Sequence, residues 1–132
     1  MKTLKLALFA VFCISASAHS APYSLQAATD AAGKLLPGQE QFALYNIPEQ
    51  TSDVKPLLIA MEAMCLKKAS LAVASPKLEW VKSAITAALA TAGPQSFDGL
   101  TLVIIADKNG KSALSKPLLE RGIKSTYGVY GK

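Results

Sequence analysis

Histidine is nearly missing from this chain: His19 is the only one in 132 residues. It stands close to the N-terminus, where chain ends are ordinarily loose. A Ser-His-Asp or Cys-His site would have to recruit that end, and a zinc site would lack ligands altogether. Arginine and tryptophan are equally scarce, with Arg121 and Trp80 alone. A nucleic-acid surface built from stacked aromatics between basic side chains is therefore disfavoured. Cysteine occurs twice, at positions 13 and 65. Beyond the first eighteen residues no apolar run reaches the ~20 residues needed to cross a bilayer. These absences remove most familiar chemistries, and no cofactor or metal is expected.

What is present begins with the leader. Residues 1–18, M-K-T-L-K-L-A-L-F-A-V-F-C-I-S-A-S-A, have the three parts of a secretory signal. Lys2 and Lys5 form the positive start, Leu6 to Ile14 the apolar middle, and Ala16-Ser17-Ala18 the small-residue cleavage site. Cleavage after Ala18 makes His19 the first mature residue; cleavage after Ser20 is the alternative. Phe12 before Cys13 does not fit a lipidation site. The expectation is a cleaved signal peptide, 1–18, and one small globular domain, 19–132, delivered to a periplasm or outside the cell. Cys13 leaves with the signal, so Cys65 has no intramolecular partner for a disulfide. It lies between Met64 and Leu66, and the Met61/Met64/Cys65 group reads as core packing rather than a soft-metal site.

Subtracting Lys2 and Lys5 from the formal charge of +5 leaves +3 for the exported chain. The excess is at one end. From Asp107 onward, Lys108, Lys111, Lys116, Arg121, Lys124 and Lys132 face only Asp107 and Glu120, whereas residues 19–106 hold six lysines and seven acids. A basic C-terminus of this kind suits an acidic partner or an anionic surface.

Hydrophobic spacing supplies the elements. Leu25, Ala28, Ala32 and Leu35 share a helical face over residues 24–35, with Ser24 as N-cap. Residues 41–47 alternate as a short strand, and Pro48 behind it implies an edge position. Ser52 or Asp53 caps a second helix, Pro56 sits in its first turn, and the pattern continues to about Ala74. Its apolar residues spread over more than one face, as in a central helix. Ser75-Pro76 starts a third helix, 76–92, with the stripe Leu78, Val81, Ile85, Ala88, Leu89 and Ala92. Trp80 falls off that stripe, and packing against a neighbouring element is the expected use for it.

The densest β-branched run, L-T-L-V-I-I-A at 100–106, is a strand, followed by the turn cluster Asp107-Lys108-Asn109-Gly110. One continuation is a hairpin. The preferred one is a helix over 112–121, with Pro117 placing its start near Ser115, closed by Gly122 in the left-handed region and by Ile123. Lys124 to Tyr130 is then the last strand. The fold expected is α+β or α/β: three main helices on a short three-stranded sheet, ending in a βαβ-like unit, with a C-terminal β-hairpin as the alternative.

Gly110-Lys111-Ser112 matches the tail of a phosphate-binding P-loop, but Ile105 stands where that motif needs its first glycine. Generic anion binding at a helix start asks for less. The candidate binding residues are Lys108, Asn109, Gly110, Lys111, Ser112, Arg121 and Lys124; no catalytic residue is assigned. The leading functional expectation is a small exported, non-enzymatic protein that binds another macromolecule, such as an inhibitor, an immunity-type protein or an envelope accessory factor with a protein partner. The alternative is an anion-binding or hydrolytic protein with its site at Asp107–Ser112.

Overall fold

Helices and strands alternate along the described residues. The structure is a computed structural model that describes residues 22–36, 38 and 42–131. The expected signal peptide, His19 and Lys132 lie outside the described residues. The order is α1 (Leu25–Leu35), β1 (Ala43–Asn46), α2 (Lys55–Leu66), β2 (Ser70–Ala74), α3 (Leu78–Ala92), β3 (Thr101–Ala106), α4 (Lys111–Leu119) and β4 (Lys124–Val129).

The four strands form one parallel sheet in the order β1-β2-β3-β4. Each strand therefore lies beside the next in sequence, joined through a helix. Crossovers of one hand that step across a sheet in one direction place all their helices on the same face. That is the arrangement here. α2, α3 and α4 bury Leu57, Met61, Val81, Ile85, Leu114 and Leu118 against Leu71, Val73, Leu102 and Ile104. α1 precedes the first strand and covers the opposite face, with Ala28, Ala31 and Ala32 on Ala72, Ala74, Val103 and Ile105. The fold is thus an α/β layered domain with three helices on one side and one on the other.

The first expected helix is confirmed closely: Ser24 Oγ accepts from Ala27 N at 3.0 Å. The edge position implied by Pro48 is likewise found, because β1 has β2 as its only neighbour among the described strands. At the end of α4, Gly122 has φ +79° and Ile123 N donates to Leu118 O at 3.0 Å, the closure read from Gly122-Ile123. The hairpin alternative is overturned, since β3 and β4 run parallel with Thr101 opposite Lys124.

Three corrections follow. The single helix expected over residues 52–74 is two elements: α2 stops at Leu66, and Ser70–Ala74 is the buried strand β2. The break contains neither glycine nor proline. Lys68 takes the left-handed conformation itself, with φ +52°, and Ala69 N closes on Met64 O at 2.9 Å. Ser70-Leu71-Ala72-Val73-Ala74 is buried on both faces, so it lacks the alternation that marks a half-buried strand. Among the described residues the sheet consequently has four strands rather than three, while the four helices are the three main ones and the helix of the C-terminal βαβ-like unit. Finally, α4 begins at Lys111 instead of near Ser115, so Pro117 is an interior residue.

Candidate functional site

In a parallel sheet all strand C-termini share one edge, and the helices that follow begin there. Open α/β folds usually place ligands at that edge where the strand order reverses. The order β1-β2-β3-β4 of the described strands has no such reversal, so no crevice is formed between diverging crossovers. Here the edge is formed by the segments after β1, β2 and β3, together with Tyr130 and the start of α1.

The centre of the edge is Asp107, immediately after β3. Its Oδ1 accepts from Leu78 N at 2.8 Å, across from the first residue of α3. The N-cap position of α3 is Lys77, which supplies no side-chain acceptor. Ser75, expected to cap this helix, accepts instead from Lys77 N at 3.3 Å. The cap is therefore provided by a residue 29 positions away, and its negative charge also favours the positive end of the helix. The only acid in the β3–α4 turn is engaged in holding two loops together.

Behind Asp107, Tyr130 is buried and donates to Pro76 O at 3.1 Å. Its ring meets Tyr23 edge-on, with centroids 5.1 Å apart, and the Tyr23 hydroxyl donates to Asn46 Oδ1. Burial pushes both phenols above their usual value; the other phenol adds to this for Tyr23, and Asp107 adds to it for Tyr130. The segments after β1, β2 and β3 and the entry to α1 are thus tied by side chains remote in sequence.

The β3–α4 loop holds five of the seven candidate residues. Lys108, Asn109, Lys111 and Ser112 are exposed on the edge. Asn109 Oδ1 accepts from Lys111 N at 2.9 Å, shaping the turn into α4. Gly110 is buried, and a Cβ there would lie 2.7 Å from Leu78 Cδ1. Its part is therefore to let the α4 start approach α3. A shallow depression of about 250 Å³ runs from Asn109 and Lys111 past Ser115 to Ser125, Thr126 and Tyr127. It is polar and contains no carboxylate.

The other two candidates are elsewhere. Arg121 donates to Leu89 O at 2.9 Å and Gln95 O at 3.1 Å, clamping the C-terminal end of α3. Cations there complement the carbonyl end of a helix. Lys124 begins β4 and is exposed at the opposite edge of the sheet, roughly 16 Å from Val129 at ~3.3 Å per residue. The basic C-terminal run thus divides between two edges. On the edge formed by the strand C-termini, Lys108 and Lys111 are joined by Lys77, brought alongside through the Asp107–Leu78 bond.

Sequence reasoning missed the roles of Asp107, Tyr23 and Tyr130. Only one signal pointed to the first: Lys77, just before the helix, has no capping chemistry of its own. Cys65 is a half-buried free thiol that donates to Asp98 O at 3.4 Å. Trp80 packs partly against the three-helix core, with Lys77 Nζ 5.7 Å from its ring centroid. Among the described residues no three His, Cys, Asp or Glu side chains converge as metal ligands, and no helix is long and apolar enough to cross a membrane. No family model, curated protein or solved structure matches the chain.

Proposed function

We propose that this is an exported, non-enzymatic binding protein whose basic edge, centred on Lys77, Lys108 and Lys111, recognises an acidic surface on a protein partner. One observation carries the reading: the Asp107–Leu78 bond brings Lys77 alongside Lys108 and Lys111, and all three lysines are exposed on one edge, where the acids beside them are Asp107, engaged at the α3 start, and Glu79. Helix N-termini and lysines both favour negative charge, and clustering them on one edge steers an acidic partner toward it. The export part of the reading is supported by the three-part leader at residues 1–18. A hydrolytic site at the same loop is less well supported, because the one acid of the loop, Asp107, is engaged at the α3 start.

The test uses the chain expressed from its complete sequence. Mass spectrometry of the exported fraction should find an N-terminus at His19, and retention of the whole chain in the cytoplasm would end the export reading. Binding to immobilised polyglutamate should weaken with added salt, as screening requires. Reversing Lys77, Lys108 and Lys111 to Glu should abolish that binding, whereas Lys116→Glu with Lys124→Glu should largely spare it. Equal losses for the two variants would show general basicity instead of a defined edge.

A further inference from the structure

We propose that a second copy of this chain pairs with β1 about a two-fold axis, joining two four-stranded sheets into one of eight strands with α2 packed on α2. The inference starts from the open edge. Ile47 N donates to Ala74 O at 2.8 Å, so odd-numbered residues of this strand direct their main-chain groups toward β2. By the alternation of a strand, Leu44 and Asn46 direct theirs outward. No strand meets them among the described residues. Pro48, the next outward position, has no N–H, which limits any added ladder to this short stretch.

The helix above this edge has the matching property. α2 has α3 as a helical neighbour on one flank. Cys65, bonded to Asp98 O, marks the flank turned toward the α3–β3 connection. At ~100° per residue the opposite flank carries Pro56, Ala60 and Ala63, with Ile59 next to Ala63 and Leu66 further round on the upper side. Ile59 is 65% and Leu66 87% exposed, the latter the highest value for any large apolar side chain described. Apolar residues all round a helix belong to a buried one, and α2 buries only its inner half within the monomer.

Self-pairing fits this surface better than it fits the other edge. An isologous interface sets each group near its own copy, so it must avoid charges of one sign. β1 carries no charged residue, and the outer flank of α2 has none from Pro56 to Ala63, with Lys55 and Glu62 on the upper side and Lys67 only at the C-terminal end of the flank. β4, by contrast, opens with Lys124 and lies under α4, where Lys111, Lys116 and Glu120 are exposed. With the axis beside Tyr45, Leu44 exchanges hydrogen bonds with Asn46 of the second copy. The two Tyr45 residues then face each other as a non-hydrogen-bonded pair, with Cα atoms ~4.5 Å apart, on the same face as α2.

Sedimentation equilibrium on the chain expressed from its complete sequence should show a mass that rises with concentration to twice the monomer mass by roughly 100 μM, a weak-to-moderate affinity. In a Cys65→Ser background, Tyr45→Cys should form a covalent dimer under mild oxidation, because that Cα separation lies within the disulfide range. Ser125→Cys on β4 should not. Tyr45→Lys, which puts like charges across the axis, should return the monomer mass with an unchanged helical circular dichroism spectrum. A monomeric wild-type chain, a dimer linked through Ser125→Cys, or a Tyr45→Lys variant that remains dimeric would each overturn the proposal. The wild-type mass decides the matter even if a cysteine variant fails to fold.

Discussion

The two faces of the sheet are covered in opposite ways. One carries three helices and large side chains: Leu57, Met61, Phe97, Leu102 and Ile104 are all essentially buried. The other carries α1 alone, whose small residues Ala28, Ala31 and Ala32 lie closest to β3 and β4 and share one buried cluster with Val103, Ile105, Ala72 and Ala74. Both faces exclude water from the central strands, but by different physics. On the three-helix face the gain comes from the apolar area of long side chains removed from water. On the single-helix face it comes from close approach, where small residues let helix and sheet backbones come together and many weak contacts form at short range. The first kind of packing is damaged by removing atoms, the second by adding them.

The largest effect should follow from emptying the three-helix face. Leu102 is 0% exposed near the start of β3. Leu102→Ala should cost ~2–5 kcal/mol, from lost transfer energy and the cavity left behind. Urea denaturation with a constant slope would measure it. A loss below ~1 kcal/mol would mean that the site collapses freely and that the two faces are not so different in kind.

The complementary change is Ala32→Leu on α1, also at 0% exposure. Added methylenes in this buried cluster should cost ~1–3 kcal/mol. The loss should be local. Amide exchange should quicken in α1 while β3 stays protected, because the three-helix face does not depend on α1 for its own packing. Uniform quickening of all elements would show that the thin face is required for the whole domain.

The same contrast explains how much of this molecule could be read from its residues. α1, α3 and β3 were legible because a period of 3.6 or a β-branched run was unbroken and its ends carried Ser24, Gly93-Pro94 or Asp98-Gly99. β2 was not. Its five residues are buried by α1 below and α2 and α3 above, so both faces had to be apolar and no alternation survived. Ala72 and Ala74, small for the sake of the close-packed face, made the segment resemble the end of a helix. The candidate site divided along the same line. The β3–α4 loop was found because it is one contiguous stretch with turn chemistry. The Asp107 cap, the Tyr23–Asn46 bond and the Tyr130–Pro76 bond join residues 29, 23 and 54 positions apart, distances over which no local pattern operates. Arg121 was grouped with the basic loop because charge counting along a chain is blind to which end of a strand a residue occupies.

A smaller effect should come from that cap. Asp107→Ala should destabilise the domain by ~1 kcal/mol, the usual worth of an N-cap acceptor, through the three-helix face only. Asp107→Asn keeps an acceptor and should recover part of the loss. The recovery separates hydrogen bonding from charge at the α3 start, and exchange at Leu78 and Glu79 would locate the effect. Equal losses for both substitutions would assign the whole contribution to the carboxylate charge.

The smallest change at neutral pH should be at the latch that completes the single-helix face. Tyr23→Phe and Tyr130→Phe each remove one hydroxyl bond, a net ~0.5–1.5 kcal/mol. Their signature is alkaline. Burial raises both phenols above the ordinary value of 10.0, so the folded state disfavours the phenolate relative to the unfolded chain. The corresponding stability is fully present below pH 10 and is lost as the pH rises through the folded-state values. Urea midpoints measured between about pH 8 and about pH 11 should stay level and then fall. The double Phe variant should fall less steeply, leaving the part due to Tyr45 and Tyr127, which burial also raises but which pack with the three-helix core. If the alkaline loss resides at the thin face, Tyr23→Phe with Tyr130→Phe should remove more of it than Tyr45→Phe with Tyr127→Phe. The reverse order would place the more sensitive phenols under the three helices and reverse the ranking of the two faces.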